Sequence, residues 1–196
     1  MDNRSRILDA ALRVFAETGY RGATTRRIAQ EAEVNEVTLF RHFGSKEELI
    51  RAAVQHATAT QDQAPLPAEP VDPYRELTDW AGQHYAHLRA RSAMIRTCLG
   101  ESAEHPDMTE CVSEGPVQVG RELRRYLNVL KERGGASGAI DVEVAVSMLM
   151  SVLFTDALTR DLMPKLYRYS MQEAPAHYVE FVLQALGVLP ASQGAH

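Results

Sequence analysis

Cysteine is scarce in this chain: of 196 residues only Cys98 and Cys111 carry a thiol. Two thiols cannot make a disulfide framework, so the fold must rest on a hydrophobic core, and a reducing cytoplasm is the expected setting. Long apolar runs are also missing. The longest, residues 144–154, is interrupted by Ser147 and Ser151 and falls short of the roughly 20 apolar residues that span a bilayer. The opening Met1-Asp2-Asn3-Arg4-Ser5 lacks the apolar h-region of a secretory signal. There is no period-two alternation bounded by hairpin turns and no internal repeat, which argues against sheets and solenoids. A phosphate loop, Gly-x-Ser-x-Gly, His-Glu-x-x-His and the dinucleotide fingerprint are all absent, so no enzyme class suggests itself.

What is present is helical patterning in a chain of ordinary composition, 45% hydrophobic and 24% charged. The net charge of -5 is unevenly spread. Residues 1–60 hold nine Lys and Arg against eight Asp and Glu, whereas the remainder holds 12 against 18. The acidity lies C-terminally, which leaves the N-terminal part free to meet a polyanion.

In the first helix, expected over residues 3–18, Ile7, Leu8, Ala11, Leu12 and Phe15 form an apolar stripe that ends at Gly19. Short helices start at Thr24 or Thr25, at Asn35 and at Ser45. The last, Ser45-Lys46-Glu47-Glu48, has the form of a capping box. Pro65, Pro67 and Pro70 mark residues 61–72 as a loop, and Asp72-Pro73 opens a helix to about residue 89. A short helix over 94–99 and an irregular acidic stretch to Gly115-Pro116 follow, then helices over 117–133, 141–160 and 175–186. The domain boundary is expected near residue 50, giving units 1–50 and 51–196.

Residues 24–43 carry the most information. Two short helices meet at a three-residue turn, with Ile28, Ala29, Ala32, Val34, Leu39 and Phe43 spaced to pack together. This is a helix-turn-helix. Its second helix, capped by Asn35, turns Glu36, Val37, Thr38 and Arg41 outward, short enough to enter a DNA major groove.

The same segment resembles the tetracycline-repressor (TetR) family, whose reading head recurs as T-T-x-x-I-A-x-x-A-G-V-S-x-G-T-L-Y-x-Y-F-x-S-K-E-x-L. Thr24, Thr25, Ile28, Ala29, Ala32, Val34, Thr38, Leu39, Phe43, Ser45, Lys46, Glu47 and Leu49 match in register. The likeness covers about residues 5–55. It implies an all-α fold with an N-terminal three-helix DNA-binding domain and a C-terminal helical domain for effector binding and dimerisation. It also implies a repressor released from a palindromic operator by a small-molecule effector. Thr25 and Lys46 would meet phosphates at helix N-termini, and Val37 and Thr38 would approach base edges, their methyl groups suited to thymine. Arg41 would reach a guanine or a phosphate. The full DNA-facing set is Thr24, Thr25, Arg26, Asn35, Glu36, Val37, Thr38, Phe40, Arg41, His42 and Lys46, although a solvated face accounts equally well for Arg26 and Arg27.

Departures from the pattern carry consequences. Glu33 stands where the family has a turn glycine, so the turn must change conformation or bear strain. Phe40 replaces a tyrosine whose hydroxyl bonds phosphate, Val37 a frequent glycine, and His42 an aromatic.

The helices over 141–160 and 175–186 are apolar nearly all round, which calls for cover from a second copy in a four-helix bundle. Trp80, His84, Tyr85, Leu88, Met94, Ile95, Cys98, Met108, Leu123, Tyr126 and Phe154 are candidates to line an effector pocket, though core packing accounts for each one singly. No resident cofactor and no membrane partner is expected. The rival effector class is a metal, through His84 and His87, Glu101 and His105, Cys98 and Cys111, with thiol redox sensing or a helical adaptor as further alternatives.

Overall fold

The structure is a computed structural model that describes residues 2–59, 64–104, 106–134 and 140–188, without the side chains of 58–59 and 106–115. Among the described residues there are helices and turns and no strands. The chain forms two compact units, one of residues 1–61 and 91–116, the other of residues 62–90 and 117–196. The chain passes between the units three times, after residues 61, 90 and 116, and the last passage, between Pro116 and Val117, lies inside a helix.

In the first unit α1 (Asn3–Gly22) is the central post, with α2 (Thr25–Glu31), α4 (Lys46–Ala59) and α6 (Ser92–Glu101) packed on it. α3 (Glu36–Phe43) leans on α2 and α4. The stripe read from the sequence is the core: Ile7, Leu8, Ala11 and Phe15 are buried, joined by Ile28, Leu39, Leu49 and Ile50. Gly19 is a break, as expected, yet not the end. It adopts φ 69° and the helix resumes beyond the kink to Gly22. With ψ -178° beside that φ, the backbone at Gly19 is one that side chains rarely adopt, which is why glycine serves at this corner.

The second unit is built on α5 (Pro73–Ala90), α8 (Val142–Thr159) and α9 (Ala174–Ala185), which pack against one another. Local caps set their starts. Asp72 Oδ1 accepts from Arg75 N at 3.2 Å, and Asp141 Oδ1 accepts from Glu143 N at 2.7 Å. By length and composition α8 is apolar enough to cross a membrane, which residues 144–154 alone did not suggest. Its packing against α5 and α9 accounts for that apolarity on one side.

The Gly115-Pro116 pair, read as a break, lies inside α7 (Pro106–Glu132). Proline removes one backbone donor and costs about 3 kcal/mol in a helix interior. The buried stripe beyond it, Val119, Leu123, Tyr126, Leu127 and Leu130, recurs at helical spacing and offsets that cost.

Candidate nucleic-acid interface

Two local caps and one strained residue shape the reading head. Thr24 Oγ1 accepts from Arg27 N at 3.3 Å to start α2, and Asn35 Oδ1 accepts from Val37 N at 2.9 Å to start α3. Between them Glu33 takes φ 52°, the left-handed conformation a glycine would adopt freely. The turn therefore keeps its shape and bears strain. Arg6 offsets part of it, its Nη2 donating to the Ala32 carbonyl at 2.8 Å and to Glu33 Oε2 at 3.0 Å.

α3 turns Leu39 into the core and carries Val37, Phe40, Arg41 and His42 exposed on the other side. Thr38 is half-buried, at the edge of that face. Phe43 is half-buried beneath the Arg4 guanidinium, 5.5 Å from its ring centroid. Glu36 is turned aside. Its Oε1 accepts a 2.5 Å hydrogen bond from Thr25 Oγ1, tying the first turn of α3 to that of α2. Arg26 is exposed, whereas Arg27 pairs with Glu17 at 3.1 Å.

Lys46, at the start of α4, is directed inward. Its Nζ donates to the Tyr20 carbonyl and lies 4.2 Å from the centre of the Tyr20 ring. Burial lowers the ammonium pKa from its ordinary value, against the opposing pull of the Glu47 and Glu101 carboxylates. The Tyr20 hydroxyl donates to Glu47 at 2.6 Å, and this bond, with further donors from the helix start, holds the Glu47 carboxyl below its usual range. Ser45 caps α4 by accepting from Glu48 N at 3.1 Å, but the Glu48 carboxylate meets Arg51 at 2.8 Å, so the expected reciprocal arm of the capping box is spent on a side chain.

Sequence reasoning did not single out the contact between α6 and the kink of α1. Glu101 Oε1 accepts from Tyr20 N at 3.0 Å, Thr97 Oγ1 donates to the Ala16 carbonyl at 3.3 Å, and Arg21 pairs with Glu104 at 3.1 Å. α6 is thereby keyed to the post that carries the head.

The effector-pocket candidates fall in both units. Trp80, His84, Tyr85, Leu88, Leu123 and Tyr126 are buried in the second, with His84 stacked on Trp80 at 5.6 Å and Phe154 half-buried. Met94, Ile95 and Cys98 are buried in the first, on α6. The side chains of Met108 and Cys111, and all of His105, lie outside the described residues. Among the described residues no group of three or more His, Cys, Asp or Glu is placed to hold a metal ion.

The hydroxyls of Tyr126 and Tyr85 are spent on protein carboxylates. Tyr126 donates to Glu76 at 2.5 Å and Tyr85 to Asp156 at 3.0 Å. Asp156 is fully buried and also accepts from Tyr178 at 2.5 Å and from Arg160, whose Nε and Nη2 lie 2.6 and 2.5 Å away. Burial alone would push this carboxyl up; the donors from Arg160, Tyr178 and Tyr85 outweigh it and hold the pKa down. The sequence signal was available: an aspartate in an apolar helix with an arginine four residues on.

This head is one that known regulators share. Residues 7–53 match the family model for bacterial regulatory proteins of the tetR family. The HTH-type transcriptional regulator YvkB of Bacillus subtilis is 31% identical over 149 residues, 76% of this chain and 78% of its own. The chain belongs to the TetR family. It is an all-α, helix-turn-helix transcriptional regulator, like its relatives. The HTH-type transcriptional repressor NicS of Pseudomonas putida is 26% identical over 74% of this chain and 68% of its own. The fold extends past the head: a transcriptional regulator from a Rhodococcus species superposes with a TM-score of 0.75 over 95% of this chain and 99% of its own, at 22% identity.

Proposed function

We propose that this TetR-family protein is a homodimeric repressor that grips a near-palindromic operator and lets go when a small molecule binds its C-terminal part. The observation that carries the DNA half is the outward face of α3, where Val37, Phe40 and Arg41 stand free on a helix held by caps, core and the Glu33 turn. That face fits a major groove about 12 Å wide. Thr24, Thr25 and Arg26 flank it for the phosphates, and Lys46 joins them on swinging out from the Tyr20 carbonyl. The repressor NicS is a precedent for the sign of regulation.

Dimerisation is supported by apolar side chains that the second unit leaves in solvent. On α8, Val144 is 46% and Met148 40% exposed beside Ser147 and Ser151 in a shallow groove, and on α9 Phe181 is 57% exposed. A second copy placed there by two-fold symmetry would bury them in a four-helix bundle and set two heads one DNA turn, about 34–36 Å, apart. The effector is a small, largely apolar molecule taken among the buried aromatics of the second unit, and no enzymatic step is involved. Its binding lowers DNA affinity by coupling, so that occupied and empty forms differ in their hold on the operator. The protein works in the cytoplasm, where its operator lies.

Selection of bound duplexes from a random pool, followed by a screen for compounds that release the selected duplex, tests this reading. An inverted repeat and at least one releasing compound are expected. A monomer by sedimentation at micromolar concentration, or no enriched sequence, would overturn it.

A further inference from the structure

Three charged side chains converge on Tyr20. Its amide donates to Glu101 Oε1 of α6 at 3.0 Å, and its hydroxyl donates to Glu47 of α4 at 2.6 Å. Its carbonyl accepts from the Lys46 ammonium, which also lies 4.2 Å from the ring centre. The break at Gly19 opens this corner. A continuing helix would give the Thr24 amide to the Tyr20 carbonyl, but that amide goes to the Gly22 carbonyl at 2.9 Å. α6 is itself fixed against α1, through Thr97 on the Ala16 carbonyl and Glu104 on Arg21, which holds the Glu101 carboxylate at the corner.

The Lys46 ammonium is thus half-buried against a carbonyl and an aromatic face, with the Glu47 and Glu101 carboxylates close enough to pull on it. A DNA phosphate is a strong acceptor for the same group, and the inward and outward positions compete for it. Where only one position is competent to bind, affinity falls by the fraction of time spent in the other. We propose that Glu101 is a positioning residue for DNA binding, which together with Tyr20 holds Lys46 off the phosphate backbone in the free protein. The inference rests on Lys46 meeting a phosphate in the complex, and it gives a part in DNA affinity to a residue outside the helix-turn-helix.

The charge of Glu101 can be removed without removing its hydrogen bond. A glutamine side-chain oxygen accepts from the Tyr20 amide as the carboxylate does, and the same holds at Glu47 for the Tyr20 hydroxyl.

The test compares full-length wild type, Lys46→Met, Glu101→Gln and Glu47→Gln, and each glutamine variant combined with Lys46→Met. Affinity for the duplex selected from a random pool, and for a scrambled one of equal length, is read by fluorescence anisotropy across salt. Lys46→Met should weaken binding to both duplexes and reduce the salt slope by about one. Glu101→Gln should tighten binding about two- to fivefold, equally on both duplexes, because phosphate contacts carry no sequence information. That gain should vanish when Lys46→Met is added. Circular dichroism and melting temperature show whether each variant is folded. Glu47 is exposed, so Glu47→Gln supplies the same reading if Glu101→Gln does not hold its fold.

A gain of the same size with and without Lys46 would overturn the inference, since the carboxylates would then act only through general repulsion of DNA. No gain in either folded glutamine variant would also overturn it. So would a Lys46→Met protein whose affinity and salt slope match wild type, and DNA binding itself would stand in all three cases. Failure of the wild type to enrich any duplex would instead remove the DNA-binding reading on which the inference rests.

Discussion

Arg6 braces Glu33 across the reading head, its guanidinium touching both the Glu33 carboxylate at 3.0 Å and the adjoining Ala32 carbonyl at 2.8 Å. Glu33 is the one described non-glycine residue with positive φ. A left-handed non-glycine residue costs roughly 1–2 kcal/mol, and an exposed ion pair returns at most about 1 kcal/mol. Glu33→Gly should therefore stabilise the first unit by about 1 kcal/mol. Arg6→Ala should destabilise it by about 1 kcal/mol, through the hydrogen bond to the turn carbonyl. Urea denaturation of the two variants measures both, and a loss of stability in Glu33→Gly would show that the turn is not strained.

The buried Asp156 predicts a pH response with a defined sign. Its carboxyl is held below the ordinary range in the folded chain. Its contribution to stability is thus complete above about pH 4, the unfolded value, and is lost as pH falls through the depressed folded value. Tyr85 and Tyr178 move the other way, raised by burial and by Asp156 itself. Their contribution is complete below about pH 10 and fades as the pH climbs towards their folded values. Asp156→Ala strands the Arg160 guanidinium and should cost about 3–5 kcal/mol. Melting temperature against pH for wild type and Asp156→Ala checks this, with the acid-side slope reduced in the variant.

Phe40 leaves unmade a contact that the family pattern implies for tyrosine at this place. Phe40→Tyr restores the hydroxyl and keeps the ring. Binding should tighten about tenfold, the worth of one hydrogen bond to a charged oxygen. The gain should be equal on selected and scrambled duplexes, because phosphate contacts carry no sequence information. The slope of affinity against salt should not change, since no charge is added. Parallel titrations at three salt concentrations check all three points.

Much of the molecule is legible in its sequence because caps and stripes are local. Asn35, Ser45, Asp72-Pro73 and Asp141 each start a helix where the residue type says so. What was not legible depends on partners distant in the chain. The Thr25–Glu36 bond, 11 residues apart, turns aside a carboxylate that periodicity alone would aim at DNA. Glu101 reaches Tyr20 across 81 residues, and no local signal marks that pairing. Asp156 meets Tyr85 and Tyr178 only after three helices have packed. Gly115-Pro116 misled for the opposite reason: a strong local breaker lost to a longer apolar stripe within α7. At Glu33 the sequence allowed a changed turn or a strained one, and the backbone chose strain.

The central claim is that the exposed face of α3 reads DNA, and Arg41 tests it most directly. Arg41 is exposed and lies outside the core, so Arg41→Ala leaves the fold alone. The measurement is the affinity of wild type and Arg41→Ala for the selected duplex and for a scrambled one of equal length, across salt. Wild type should prefer the selected duplex by about a thousandfold or more. Arg41→Ala should lose about 1–3 kcal/mol on the selected duplex only, if the guanidinium meets a base, or weaken both alike and reduce the salt slope by about one, if it meets a phosphate. Equal wild-type affinity for the two duplexes, or an Arg41→Ala protein indistinguishable from wild type on both, would contradict the account.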